Sequence, residues 1–123
     1  MDTNKLIFEQ VAEIVENQIL DGYLKADDQS PSTTEFANVY SINPATARKG
    51  LNILVDEGIL YKKRGMGMFV TKVAKKIIIN KRKDEYIKNI LPDLIKNMTM
   101  LGITKEELII EIEKLYKKEQ DDD

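Results

Sequence analysis

Residues 43–71 decide the fold, and they have the sequence NPATARKGLNILVDEGILYKKRGMGMFVT. Asn43-Pro44 predicts a helix start, because asparagine is a good N-cap and proline at the first helical position forfeits no hydrogen bond. Apolar residues recur at helical spacing from there to Gly58, which ends the helix. Two short strand patterns follow, and the glycines of Arg64-Gly65-Met66-Gly67 between them supply the positive φ angles of a hairpin turn. A β-hairpin directly after such a helix indicates the wing of a winged helix-turn-helix domain.

The segments before residue 43 supply the other two helices of this domain. An amphipathic helix is predicted over about 5–21, and Gly22 follows where a helix C-terminus favours positive φ. Ser32 and Glu35 then form a capping box that starts a short second helix. The inner face of this second helix is predicted to consist of Phe36, Ala37 and Tyr40. Two helices separated by a turn of three or four residues form the minimal helix-turn-helix unit.

The third helix has two distinct faces. The face predicted to pack inward consists of Ala47, Leu51, Leu54 and Val55. The outer face consists of Ala45, Thr46, Arg48, Lys49 and Asn52. Its short polar and basic side chains, with no acid before Asp56, are typical of a recognition helix that enters the major groove of DNA.

The charge distribution supports this interpretation better than the net charge does. The chain has 19 basic and 21 acidic residues, for a net charge of −2, whereas DNA-binding domains are often basic. Between Gly58 and Lys83, however, there is no acidic residue. Within that segment, residues 62–64 of the hairpin are predicted to lie beside a phosphate backbone or to enter the minor groove.

The C-terminal part has a helical pattern with a long apolar stripe. We expect Pro92 to kink or restart the helix and Gly102 to stop it, and Thr104 with Glu107 to cap a final helix. The resulting two-helix hairpin has more apolar surface than it can bury alone, which predicts a homodimer. The predicted dimerisation residues are Ile87, Ile90, Leu91, Leu94, Met98, Leu101, Leu108, Ile112 and Leu115.

The predicted fold is therefore mostly α with one small β-hairpin. A winged helix-turn-helix DNA-binding domain covers residues 1–73, and a helical dimerisation extension covers residues 74–123. The absence of histidine and cysteine removes the usual zinc ligands and the commonest general base. The chain is predicted to be no enzyme and to hold no metal or cofactor. It lacks a signal-peptide pattern at residues 1–5 and a membrane-spanning stretch, which predicts a cytoplasmic protein with no membrane partner.

Residues 7–70 resemble the DNA-binding domain of the GntR family. The matching stretches are 7–12 (IFEQVA), 19–24 (ILDGYL), 30–32 (SPS), 36–37 (FA), 42–49 (INPATARK), 54–60 (LVDEGIL) and 64–70 (RGMGMFV). The remainder resembles the YtrA-type subfamily, in which a two-helix extension replaces a larger effector domain; the run LGITKEEL at 101–108 fits it. The resemblance implies a homodimer that binds a palindromic operator in double-stranded DNA, usually as a repressor.

The resemblance also implies which residues contact DNA. By position they are Ser32, Thr34, Asn43, Ala45, Thr46, Arg48, Lys49, Arg64 and Gly65. Arg48 matches a family arginine and is assigned to a phosphate or a guanine edge. Thr34 stands where most members have arginine, and Gly50 stands where they usually have alanine. Such departures suggest modest affinity or an unusual operator.

Two further interpretations stay open. A winged-helix protein-interaction module without specific DNA binding fits the weak net charge and Thr34. An unknown small-molecule effector is also possible, and it would have to act near residues 72–80, between the two predicted domains. The salt dependence of DNA binding distinguishes the first alternative from a DNA-binding regulator, because contacts with phosphates release counterions and therefore weaken as the salt concentration rises.

Overall fold

The structure is a computed structural model that describes residues 5–121. Residues 1–4, which belong to the segment that lacks a signal-peptide pattern, and residues 122–123 lie outside the described part. The described chain forms two units, one that ends at Arg82 and one that begins at Lys83. The predicted domain boundary, between residues 73 and 74, lies nine residues before this division, at the start of the helix Ala74–Glu85.

The first unit has the predicted order of three helices, a hairpin and the start of a fourth helix. These elements are α1 (Ile7–Leu20), α2 (Thr33–Tyr40), α3 (Pro44–Asp56), β1 (Leu60–Lys63), β2 (Gly67–Val70) and α4 (Ala74–Glu85). The mostly helical fold with one small β-hairpin is thus confirmed.

Side-chain caps fix where α2 and α3 begin. The Ser32 hydroxyl accepts a hydrogen bond from the Glu35 N–H (3.1 Å), and the Glu35 carboxylate accepts one from the Ser32 N–H (3.3 Å). The Asn43 side-chain oxygen accepts from the Ala45 N–H (2.8 Å), and Pro44 occupies the first turn of α3. Each cap satisfies a backbone donor that the helix itself leaves free. Both predicted helix starts are therefore confirmed.

One hydrophobic core holds the first unit together. Both α1 and α2 pack on α3, and the first turns of α4 add to the same core. Its most deeply buried large side chains are Val11, Val15, Phe36, Leu51, Leu54, Ile59, Leu60, Val70 and Ile78. The prediction that Tyr40 faces inward was wrong, since this residue is 47% exposed. Its ring instead lies against the edge of the core, 5.5 Å from the ring centre of Phe36.

Gly50 is buried where α3 packs against α1. A Cβ atom at this position would lie 2.4 Å from the backbone oxygen of Phe8 and 2.9 Å from the Cβ of Val11. Both distances are too short for real contacts, so the missing side chain is what lets the two helices approach this closely. The glycine that departs from the family pattern therefore has a packing role.

The two basic residues at the end of the first unit serve its internal structure. Glu16 is almost fully buried, and its carboxylate is paired with Lys81 and with Arg82 (3.1 Å to Arg82). Lys81 also pairs with Glu57, which follows α3 (3.1 Å). These ion pairs tie α4 to α1 and to the end of α3. The side chains of Lys81 and Arg82 are therefore engaged in ion pairs within the first unit. Both residues lie in the basic segment between Gly58 and Lys83 that has no acidic residue of its own.

This cluster predicts a loss of stability at alkaline pH. Partial burial lowers the pKa of Lys81, but its hydrogen bonds to Glu16 and Glu57 outweigh that effect and raise the pKa above the ordinary 10.5. Folding therefore favours protonated Lys81, so the stabilisation is complete below about pH 10.5 and is lost as pH rises through the raised pKa. Because the side chain is 38% exposed, screening by solvent keeps the gain to about 1 kcal/mol or less.

Urea unfolding of wild type and Lys81→Met between pH 8 and pH 11.5 measures this effect. The stability difference between the two proteins is expected to shrink at the alkaline end. Lys76→Met, which removes an exposed lysine of the same helix, serves as the control and should show no such trend. A difference for Lys81→Met that stays constant across the range would contradict the prediction.

The hairpin forms where it was predicted, and it has one additional partner. Leu60 pairs with Val70 and Lys63 with Gly67 in an antiparallel ladder, with the turn at residues 64–66. Gly65 and Gly67 both have positive φ, 74° and 110°, as the turn requires. The sequence indicated only a loop over residues 26–31. Within it, however, Gln29 forms a β-bridge with Phe69, so the loop runs beside β2 as a third extended segment.

The second unit, residues 83–121, is helical and has no buried residue among those described. After α4, residues Tyr86–Ile90 form a π-helical turn, and the α-helix restarts as α5 (Leu91–Met100) with Pro92 in its first turn. This restart agrees with the prediction, since proline has no N–H to continue the ladder. Gly102, with φ 78°, ends α5, and α6 runs over Lys105–Asp121.

The start of α6 differs in one detail from the predicted capping box. The Thr104 hydroxyl accepts from the Glu107 N–H (3.1 Å), as expected, but the same hydroxyl also lies 3.2 Å from the Glu107 carboxylate. The side chain of Glu107 thus bonds to the threonine side chain, and only half of the box forms. Among the described residues, no helix combines the length and apolar character needed to cross a membrane.

Candidate nucleic-acid interface

The outer face of α3 presents the best-defined set of predicted contact residues. Ala45, Arg48 and Lys49 are exposed, while Thr46 is half-buried. The exposed three line one shallow, open depression together with Asn52, Ile53 and Asp56. A surface with a guanidinium, an ammonium and an amide along one side of a helix can donate hydrogen bonds to base edges and to phosphates.

Lys49 is held in place by an aromatic ring. Its ammonium lies 4.1 Å from the centre of the Phe8 ring at the start of α1. A cation above an aromatic face is attracted by the negative charge of the ring, and this limits the side-chain orientations of Lys49. The contact therefore favours one orientation of Lys49, while its charge stays on the exposed surface.

Two further residues line this depression: Ile53, which the sequence did not indicate, and Asp56, which was noted only as the first acid of the outer face. Both lie on the C-terminal half of the outer face, four and seven residues after Lys49. Helical spacing alone could have placed them there. Asp56 puts a negative charge at the far end of the depression, so its attraction for phosphate is greatest toward the N-terminal half, where Arg48 lies.

The first turns of α2 and α3 are the second group of predicted contacts. The oxygens of Ser32 and Asn43 already accept backbone hydrogen bonds as caps. Their remaining capacity is as donors, through the Ser32 hydroxyl and the Asn43 amide, which suits the acceptor oxygens of phosphate. Thr34 is exposed in the first turn of α2. Ser32 and Thr34 belong to the start of α2, whereas Asn43 caps α3 and is bonded to Ala45, a member of the depression.

The wing presents the third group at its tip. Arg64 and Gly65 are exposed in the turn, with Lys62 and Lys63 on the strand before it. The ammonium of Lys63 lies 4.4 Å from the centre of the Phe69 ring. The Phe69 ring also stacks with the ring of Tyr61, with 5.9 Å between the two ring centres. Lys63 is thus held against the hairpin, whereas no such contact is described for Arg64.

The placement of the acidic side chains also bears on the requirements of a metal site. No group of three or more acidic, histidine or cysteine side chains is placed to hold a metal ion within residues 5–121. A tyrosine outside the predicted contact set has a shifted pKa: the hydrogen bond that Tyr61 donates to Asp27 (2.8 Å) raises the pKa of its phenol above 10.0. That arrangement keeps the phenol protonated and links two segments of the domain.

Comparison with known proteins agrees with this organisation. The sequence profile of "Bacterial regulatory proteins, gntR family" matches residues 7–70, which span α1 to β2. The HTH-type transcriptional repressor YtrA of Bacillus subtilis is 32% identical over 102 residues, 83% of this chain and 78% of YtrA. A solved GntR family transcriptional regulator from Listeria monocytogenes superimposes with a TM-score of 0.71 at 29% identity, over 93% of this chain and 98% of the other.

A second solved structure contains DNA. The complex of AraR(DBD) with operator ORE1 matches with a TM-score of 0.52 and 30% identity. The match covers 55% of this chain and 82% of the AraR chain. The match to AraR therefore spans about half of this chain.

Proposed function

Because the chain belongs to the GntR family of bacterial regulatory proteins, we propose that it is a sequence-specific DNA-binding transcriptional repressor. The family is one of regulators and not of enzymes, as the sequence predicts. The observation that carries the proposal is the outer face of α3, where exposed Arg48 and Lys49 line one depression next to Ala45, with the Lys49 ammonium against the Phe8 ring. The repressor assignment is supported by YtrA, which is named as a repressor.

In the proposed complex, the three groups of residues contact different parts of the DNA. The face of α3 enters the major groove, where Arg48 donates to a guanine edge or a phosphate. The caps of α2 and α3 and the wing tip with Arg64 bind phosphates and fix the register of the helix on the duplex. Base contacts then determine the preferred sequence, while phosphate contacts supply most of the affinity.

Fluorescence anisotropy on DNA from upstream of the protein's own gene, across a salt series, tests this function. The logarithm of the affinity is expected to fall linearly with the logarithm of the salt concentration, because each phosphate contact releases counterions. Scrambled DNA of the same length is the control, and it should bind more weakly at every salt concentration. Binding that ignores both sequence and salt would instead favour a winged-helix protein-interaction module.

We further propose that two chains associate through residues 83–121 and bind a palindromic operator. All large apolar side chains of this unit are at least partly exposed, among them Leu94, Ile95 and Leu101 at 44%, 45% and 77%. Helices α5 and α6 share little contact with each other in the single chain. A unit of about 40 residues without a core is not stable alone, and a second copy supplies the same apolar stripe through a two-fold axis.

The sequence identified most but not all of this apolar surface. Met98 and Leu108 are half-buried, and the other seven predicted dimerisation residues are exposed. Further exposed apolar residues that the prediction omitted are Tyr86, Ile95, Met100, Ile109, Ile110 and Tyr116. In the proposed dimer the two recognition helices would lie about one DNA turn apart, roughly 34 Å, which matches a palindrome.

Replacing Leu94 with glutamate is expected to convert the dimer into single chains. The charge would be buried without a partner in the proposed interface, at a cost of several kcal/mol. Sedimentation equilibrium measures the mass of wild type and Leu94→Glu at the same concentration. Lys96→Glu places the same charge on an exposed position of α5 and should leave the dimer intact. A wild type that sediments as one chain would contradict the proposed dimer.

A further inference from the structure

The loop between α1 and α2 is attached to the wing through residues 27–30. Ser30 donates its N–H to the carbonyl of Met68 (2.8 Å), and Val70 donates to the carbonyl of Asp28 (2.9 Å). Asp27 donates in turn to the carbonyl of Val70 (2.7 Å). These bonds run beside β2 and pair its free edge. The wing is therefore a three-stranded structure in which the loop supplies the third segment.

One side chain of this loop reaches beyond the ladder to the turn itself. The amide of Gln29 donates a hydrogen bond to the backbone oxygen of Met66, at 2.8 Å. Met66 stands between Gly65 and Gly67 in the turn that also contains Arg64. Its carbonyl thus has a partner 37 positions earlier in the chain. The other end of the turn is closed locally, by the bond from the Met66 N–H to the carbonyl of Lys63 (2.9 Å).

The neighbouring glycine makes room for this contact. A Cβ atom on Gly67 would lie 2.9 Å from the amide nitrogen of Gln29. Gly67 also has φ 110°, a conformation that residues with a side chain rarely adopt. The glycine therefore serves both the shape of the turn and the close approach of the glutamine.

A second tie anchors the start of the loop. Asp27 has φ 70°, unusual for a residue other than glycine, and its carboxylate accepts the hydroxyl of Tyr61 in β1 at 2.8 Å. The loop is thus bonded to both strands of the hairpin, and Gln29 extends from a segment that is itself fixed. A short path of bonds from a fixed segment can hold a glycine-rich turn that would otherwise sample many conformations.

We propose that Gln29 is a positioning residue for DNA recognition: by holding the Met66 carbonyl, it fixes the turn that presents Arg64. This inference rests on the proposed function, since it assigns the contact of the wing tip to operator DNA. Gln29 itself need not touch DNA; it acts through the turn. Ordering the tip before binding removes the entropic cost of ordering it on the duplex.

The test combines a measurement on the free protein with one on the complex. Nitrogen-15 relaxation of Gln29→Met, which keeps the chain length but removes the donor, should show order parameters at residues 65–67 falling from about 0.85 to below about 0.6. The control is Gln10→Met, which removes a similar bond, from the Gln10 amide to the Lys5 carbonyl (2.9 Å), in a segment away from the wing. It should leave residues 65–67 unchanged.

The second arm is a double-mutant cycle with Arg64→Ala on an operator selected from random DNA. Gln29→Met is expected to weaken operator binding about 5-fold in wild type, the size of one net hydrogen bond, and less than about 2-fold in Arg64→Ala. Equal losses in both backgrounds would overturn the proposal, because Gln29 would then act independently of the tip. Unchanged order parameters at residues 65–67 would overturn it as well.

The two arms separate this inference from the proposed function. If wild type shows no preference for any DNA sequence, the proposed function fails. The relaxation data, which need no DNA, still decide whether Gln29 holds the turn.

Discussion

Arg48→Ala is expected to weaken operator binding by about 5- to 150-fold for each half-site, with no loss of thermal stability. The estimate corresponds to the 1–3 kcal/mol that one good contact between arginine and a guanine edge contributes. The stability is expected to hold because Arg48 is exposed and forms no ion pair among the described residues. Anisotropy on the selected operator measures the affinity, and circular dichroism measures the melting temperature.

A lysine at the same position distinguishes the two possible contacts of Arg48. If Arg48 binds a phosphate, Arg48→Lys should restore most of the affinity, and the alanine variant should lose affinity equally on all sequences. If Arg48 binds guanine through both nitrogens, lysine should restore little, and specificity should relax at one base position. Lys76→Ala, which removes a positive charge from α4, controls for net charge. An alanine variant that folds and binds as tightly as wild type would contradict the assignment of α3.

Gly50→Ala is expected to destabilise the first unit by about 1–3 kcal/mol, although alanine favours helices. The gain in helix propensity is about 1 kcal/mol. This gain is opposed by a steric clash, because the added methyl group would lie 2.4 Å from the carbonyl oxygen of Phe8. A backbone atom cannot move aside as a flexible side chain would. Overpacking of this kind forces α1 away from α3 and costs more than the propensity returns.

Urea unfolding of Gly50→Ala and of Gly22→Ala separates packing from backbone conformation. Gly22 has φ 86° and no atom within 4 Å of the added methyl, so its variant should lose only about 1 kcal/mol through strain. A variant with alanine at position 50 that is as stable as wild type would show that α1 and α3 do not approach as closely as described. It would also leave the position of Phe8, and with it the ring under Lys49, unexplained.

Local signals in the sequence predicted the elements of the first unit well. The Ser32 cap, the Asn43-Pro44 start and the glycines of the hairpin turn depend on neighbours within a few residues, and each was confirmed. The same holds for the restart of the helix at Pro92. Helix caps, turns and proline restarts depend on residues within one short segment, so the sequence of that segment is enough to predict them.

Several features that the sequence did not predict depend on contacts distant in the chain. Gly50 was interpreted as a departure from the family because nothing near it in the sequence indicates the approach of Phe8. The ion pairs of Lys81 and Arg82 were not predicted, because their partner Glu16 lies 65 and 66 positions earlier. Tyr40 has the helical spacing of a core residue, but α2 is too short and too peripheral to bury it.

The site residues remain predictions at the level of individual contacts. The structure groups Ala45, Arg48 and Lys49 on one face of α3 and puts Arg64 at the wing tip. Which atoms of DNA they meet depends on the operator, and neither the sequence nor the fold contains that information. For the same reason the partner of the apolar surface on α5 and α6 is a proposal, supported by exposure and by the small size of the unit.

Selection of bound duplexes from a random-sequence DNA pool, followed by stoichiometry on the enriched duplex, tests the central claim most directly. The proposed function predicts an enriched sequence with two inverted half-sites whose centres lie about one helical turn, or roughly 10 base pairs, apart. Two chains should bind each duplex, and Arg48→Ala should bind the enriched duplex more weakly than wild type does. A pool that stays random through successive rounds, with equal binding to every duplex, would contradict the claim that this chain recognises an operator.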